Sequence, residues 1–250
     1  MPALLLAVAF AAVLVLERRR PLRRRAEPGA RRIARNLAMA ALTGCVIRLV
    51  ERPLVAPATA LVERRNVGLV RRLPLPRPLR VALALALMDY TLYLWHVLLH
   101  RVPALWRIHL AHHVDLDLDA TTAVRFHCLE FVASVPWRIA QVLLIGVGAG
   151  ELALWQRLTF AEVLFHHSNL RLPRRLDAAL AALVATPRVH GIHHSARDAE
   201  RNANFSSGLT VWDRLHSTWL SGVPQRSITI GVPPFDERLP LGRLLALPLR

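Results

Sequence analysis

Apolar residues run along this chain in blocks, and arginine clusters separate the blocks. The first block, residues 3–16 (ALLLAVAFAAVLVL), stops at ERRRPLRRR. A secretory signal carries its positive charge before the apolar core and a small-residue cleavage site after it. Here the charge comes after, which predicts a retained anchor with its N-terminus outside and Arg18–Arg25 inside. It is somewhat shorter than the roughly 20 residues of a full span. A second block, 33–50, carries Arg35 and Arg48 near its ends, where long side chains reach the interface. Pro53, Pro57, Pro74, Pro76 and Pro78, with several arginines, predict a connecting loop over 51–79 and a shallow re-entrant piece around 54–62. The clearest span is VALALALMDYTLYLWHVLLH, 81–100. Two shorter apolar stretches, 131–145 and 152–165, flank GVGAG at 146–150 and predict a helical hairpin that dips into the membrane. That glycine run is GxGxG, not the GxGxxG that cradles a dinucleotide. After Asn169 the chain is polar and punctuated by proline, apart from one apolar helix around 176–185.

Composition sharpens this picture. The 250 residues carry a formal charge of +16, with 54 % hydrophobic residues and a mean hydropathy of +0.33. A soluble nucleic-acid binder is basic but polar, so nucleic acid is excluded as a partner. Apolar blocks with flanking cations instead describe membrane spans anchored on one side. The basic residues are all arginine. Cys45 and Cys128 are far apart and supply no disulfide framework, zinc knuckle or iron–sulfur pattern.

Twelve histidines are present, none before position 96. Eight form three groups: HxxxH at 96–100, HxxHH at 109–113 and HxxHH at 190–194. Residues three or four apart share a helix face. His96 and His100 therefore aim at one point, as do His109 with His112 or His113, and His190 with His193 or His194. The adjacent pair in each HxxHH diverges around the helix, which suits two neighbouring metals. One ion at about four- to six-coordination cannot use eight nitrogens, whereas two ions can. Ionisable groups at membrane depth are costly and tend to be functional. No HExxH zinc-protease helix occurs, nor the ExxH pairs of carboxylate-bridged di-iron bundles. A nitrogen-rich dinuclear site beside a lipid-facing helix suits iron used with O2 on a hydrocarbon, chemistry that the cofactor supplies while the protein positions the chain.

At these residues the sequence resembles the fatty acid hydroxylase/sterol desaturase superfamily, in its bacterial sterol desaturase form. The resemblance runs through DYTLYLWHVLLHRVPALWRIHLAHH (89–113), DATTAVRFHCLE (119–130), FHHSNLRLP (165–173), TPRVHGIHHS (186–195) and NFSSGLTVWDRLHSTW (204–219). It implies an α-helical, membrane-bound, non-haem di-iron oxygenase that takes electrons from a separate donor, a ferredoxin or a cytochrome with its reductase. Carried over by position, the ligands are His96, His100, His109, His112, His113, His190, His193 and His194, with His167 added from HHSN. His127 stands where the family often has His-Pro; Cys128 replaces the proline, and His127 is held as a site residue or possible ligand. His166 is extra to the pattern and takes an interface role, and His216 is left out. Asp89, which recurs just ahead of the first box, Asn169 and Asp213 are candidates to orient imidazoles by accepting their second N–H. Asp119, Glu130 and Asn204 are others. Asp115, Asp117 and Asp119 alternate with leucine as in an exposed strand or turn.

The expected fold class is all-α: an integral membrane protein with about four transmembrane or membrane-embedded helical segments and a cytoplasmic, histidine-rich metal-binding cap. Residues 1–79 form the anchor region, 80–222 the catalytic domain and 223–250 a tail. With Arg18–Arg25 inside, two further crossings bring His100 back to the cytoplasm of a bacterial inner membrane, and the hairpin enters and leaves on that side. The arginine-containing 51–79 segment then lies outside, against the positive-inside rule. The expected function is hydroxylation or desaturation of a fatty acyl, sterol-like or carotenoid lipid. The alternative is a non-enzymatic membrane metal-binding or transport protein, which predicts polar residues lining a path through several spans.

Overall fold

The computed structural model describes residues 2–27, 29–235 and 237–249, with side chains described from residue 8 onward. It is built of helices and carries no named strand among the described residues; only isolated bridges occur, such as Pro21 with Leu170. Helix α1 is Pro2–Arg19, and α2 is Gly29–Val46. Helix α2 continues through a π-helical segment, Ile47–Glu51, into α3, Arg52–Arg65, and a short α4, Leu69–Arg72. The predicted loop over 51–79 is therefore corrected: its first half is helix. The wider π turn lies just ahead of Pro53, whose missing N–H is tolerated in the first turn of α3, while Pro57 stands inside that helix. Asn66, at φ 52°, ends α3 in the left-handed conformation that asparagine tolerates.

Helix α5, Arg77–Arg101, is the predicted central span. It stops because Pro103 forces Val102 into an extended conformation (φ −96°, ψ 115°). The same proline opens α6, Pro103–His113, at a position where its missing N–H costs nothing. This break turns the chain back on itself, so the histidines of α5 and α6 face one another. Helix α7, Cys128–Gln141, continues through a second π-helical segment, Val142–Gly146, and α8, Ala149–His167, returns. The glycine-rich junction is a close-packed turn: a Cβ on Gly68 would fall 2.2 Å from the Gly146 Cα. The short helices α9, Arg174–Ala181, α10, Pro187–His193, α11, Asp198–Arg201, α12, Val211–Leu215, and α13, Leu241–Ala246, form the polar end.

Among the described residues, three helical units are long and apolar enough to cross a membrane: Gly29–Arg72 (44 residues), Arg77–Arg101 (25) and Cys128–Gly146 (19). They mark a membrane protein. Two apolar clusters hold the molecule together. Val62, Met88, Val142 and Trp155 pack where α3, α5, α7 and α8 meet. Met39, Ala111, Val114, Leu244 and Leu247 pin the C-terminal segment onto α2 and α6.

Candidate metal centre

The imidazoles converge in two groups. His96 and His100 from α5, His109 and His113 from α6 and His193 from α10 place one ring nitrogen each within 4.8 Å of one another. His112 from α6, His167 at the end of α8, and His190 and His194 from the α10 turn form the second group on the same criterion. The adjacent pairs divide between the groups: His112 and His113 go to different sides, and so do His193 and His194. Neighbours on a helix point about 100° apart, the consequence of 3.6 residues per turn. Helix α10 starts at Thr186, whose side chain caps Val189 N–H, and Pro187 sets its first turn.

In five of the nine rings the second nitrogen is fixed by a group that can only accept. The Nδ1–H of His96 donates to the Phe205 carbonyl (2.7 Å), that of His112 to Arg125 (3.1 Å), that of His167 to Val163 (2.8 Å) and that of His193 to Ala203 (2.9 Å). His109 donates to the Glu130 carboxylate at 3.0 Å. In a neutral ring this leaves Nε2 with a bare lone pair. In the first group the Nε2 atoms of His96, His100, His109, His113 and His193 are buried without any partner. In the second, His167 Nε2 lies 3.0 Å from His112 Nε2, 3.1 Å from His190 Nε2 and 3.3 Å from His194 Nε2. Lone pairs facing at that range repel unless a cation lies between them. Nitrogens that share an ion at about 2.0–2.1 Å, with near-tetrahedral angles, stand about 3.3 Å apart. The donor set thus fits a metal in each group.

Burial, and then repulsion from neighbouring imidazoles, pushes the ring pKa values of His112, His113, His190, His193 and His194 well below the ordinary histidine range. The rings are therefore neutral, the form that binds metal.

Other predicted residues stand further off. Asp213 accepts from the N–H groups of Phe205 and Ser206 and from the Thr218 hydroxyl, so it braces the turn whose Phe205 carbonyl receives His96. Asp89 accepts from Leu209 N–H and the Trp212 indole and touches no imidazole. Asn169 exchanges hydrogen bonds with the Arg23 backbone. His127 lies outside both groups. It caps α7, accepting from Leu129 N–H and donating to the Leu245 carbonyl, so neither nitrogen is free for a metal. Asn204 bridges Val189 and Leu220. His166 is buried with both ring nitrogens unpartnered, its ring centre 4.0 Å from that of His190. His216 bonds Tyr90 at the surface.

The aspartates after α6 are a correction. Asp115, Asp117 and Asp119 are buried, not exposed, because Arg32 of α2 reaches into them. Its guanidinium pairs bidentately with Asp115 at 2.9 and 2.8 Å, binds Asp119, and donates to the Asp117 carbonyl. Burial would raise the Asp115 carboxyl, but Arg125 and Arg32 outweigh it and hold it at about 2. Arg125 donates to Asn36 and to the Ala111 carbonyl, while its own carbonyl receives His112. Glu17 of α1 accepts from the N–H groups of Ala120 and Asn169. The N-terminal helices are thus wired to the loop that orients the second group. Nothing local in the sequence marks Arg32 or Glu17 for this among so many charges; the one usable signal is three close aspartates with a single arginine, Arg125, shortly after them.

A cavity of about 590 Å³ opens beside the histidines between α2, α5, α7 and α8. Its walls are mostly apolar, with Leu92, Trp95, Leu99, Phe131 and Phe160, and they also include His96, His109, His112, His167 and His190. Both nitrogen groups therefore border the same space.

The family model described as fatty acid hydroxylase matches residues 81–218, more than half of the chain. The chain is 31 % identical over 159 residues to the ornithine lipid hydroxylase OlsE of Rhizobium tropici, covering 63 % of this chain and 46 % of that protein. It is 26 % identical over 137 residues to alkylglycerol monooxygenase of Xenopus tropicalis and 24 % over 131 residues to the human protein, covering 53 % and 52 % of this chain and 28 % of each relative. It therefore spans less than half the length of these curated relatives. No solved structure gives a significant match. The matched region contains every histidine of both groups, and the chain belongs to the fatty acid hydroxylase family.

Proposed function

We propose that this protein is a membrane-bound, non-haem di-iron oxygenase that hydroxylates or desaturates a lipid, using O2 and electrons from a separate donor. The observation that carries the reading is the convergence of nine imidazoles in two groups beside one mostly apolar cavity. His96, His100, His109, His113 and His193 would hold one iron, and His112, His167, His190 and His194 the other. Iron bound there supplies the strong oxidant that an unactivated C–H bond requires.

The chain's own residues do the rest. The carbonyls of Phe205, Ala203, Arg125 and Val163, with the Glu130 carboxylate, hold the rings in one tautomer and one orientation. Apolar side chains from four helices keep water from the reacting carbon and align the substrate chain. The catalytic unit is 80–222, with 1–79 as the anchor and 223–250 as the tail. The histidine end faces the cytoplasm of a bacterial inner membrane, where a ferredoxin or a cytochrome with its reductase delivers electrons.

The test is metal analysis of the purified chain together with lipid analysis of cells with and without the gene. We expect about two irons per chain and a lipid that gains one oxygen or loses two hydrogens only when gene and O2 are both present. Bound metal with no lipid change would favour a metal-binding or transport role.

A further inference from the structure

The cavity is not apolar throughout. Its lining also includes Glu51, Arg52, Arg138, Gln156 and Arg157, and Arg138 and Arg157 stand two to three helical turns along α7 and α8 from Glu130 and His167. Three cations face one anion there. Glu51 sits 3.9 Å from the Arg138 Nε, too far for a hydrogen bond, and that buried Nε has no partner. Arg138 is held in place by Gln141 (2.7 Å) and by stacking 4.3 Å over Trp155. Arg52 and Arg157 are exposed. Charge beside an apolar cavity is costly to keep unless it meets a partner, and the excess here is positive.

The geometry points to a subsite for the anionic group of an amphiphilic substrate, a phosphate or a carboxylate, gripped by Arg52, Arg138 and Arg157 while its alkyl chain extends to the histidines. The inference rests on the lipid oxygenase reading of the same cavity and adds the chemistry of the substrate's head. It also adds a ruler. Arg157 and His167 stand ten residues apart on α8, about 15 Å at 1.5 Å per residue. Glu130, which holds His109, and Arg138 are eight residues apart on α7, about 12 Å on the same count. The oxidised carbon would lie about that far from the anionic group, far from the head of the molecule. Guanidinium suits this task because its planar fork matches both oxyanions.

The test uses the full chain in a neutral maltoside detergent, titrated with decyl phosphate, decanoate and decanol, with binding read from tryptophan fluorescence because Trp95 and Trp155 line the cavity. The two anions separate a phosphate source from a carboxylate source. At least one should bind about tenfold more tightly than decanol, the scale of a charge-assisted bidentate contact. Arg52→Gln/Arg157→Gln should bring all three probes within about twofold of one another, with bound metal unchanged. These two side chains are exposed, so the variant keeps the buried Arg138 stack. Decanol binding as tightly as both anions, or a preference that survives the double substitution, overturns the subsite. Absence of metal with the anion preference intact would instead sink the oxygenase reading and leave the subsite standing.

Discussion

His112 and His113 are adjacent in the chain, yet their rings stand 88° to one another with centres 5.2 Å apart and turn toward different nitrogen groups. One peptide bond thus links the two halves of the candidate metal centre. His112→Ala and His113→Ala should each lower bound iron from about two to about one per chain, since each removes a nitrogen from a different ion. His109→Ala or His193→Ala should do the same for the first group. Metal analysis of the membrane-inserted variants checks this, and full stoichiometry in all four would contradict the assignment.

Among the described residues Glu130 is the one carboxylate that holds a candidate ligand, accepting from His109 at 3.0 Å. Glu130→Ala should weaken metal affinity about 10- to 100-fold, the usual loss when a ligand's outer partner is removed. Glu130→Gln keeps an acceptor oxygen and should lose less. Competition with a calibrated chelator distinguishes the two.

The Arg32–Asp115 pair is buried, and breaking it leaves a guanidinium without its counter-charge. Asp115→Asn should cost about 3–5 kcal/mol, read as a lower Tm in detergent. The pH dependence has a definite sign. A carboxyl held at about 2 in the folded chain and 3.8 when unperturbed contributes stability above the unfolded value. That contribution is lost as pH falls through about 4 toward 2. The wild-type Tm should drop across that window, and Asp115→Asn should drop less.

Gly68 has φ 97° and packs onto Gly146, leaving no room for a methyl group. Gly68→Ala should destabilise by about 2 kcal/mol or more, through left-handed strain and overpacking together. Gly150 is the control, because a methyl group there would meet no other atom within 4 Å. Gly150→Ala should be neutral or slightly stabilising in the same thermal melt.

Much of the arrangement is legible in the residues alone. The central span ends in its histidines as the pattern predicts, and the placement of HxxxH and HxxHH on helix faces follows from spacing. Two features are not legible there. The proline-rich 51–65 stretch reads as loop, yet a π turn and packing against α7 carry it as helix. Asp115, Asp117 and Asp119 read as exposed because their partner, Arg32, lies more than eighty residues earlier.

What the sequence determined by itself is local: apolar blocks long enough for a bilayer, and imidazoles repeated at the period of a helix. Both are encoded in spacing, which any helix converts into a face. Only the tertiary structure decided which nitrogens share a group, which carbonyl fixes each tautomer and where the arginines of the cavity stand. Those relationships join residues far apart in the chain, and several run through backbone atoms that every residue carries alike.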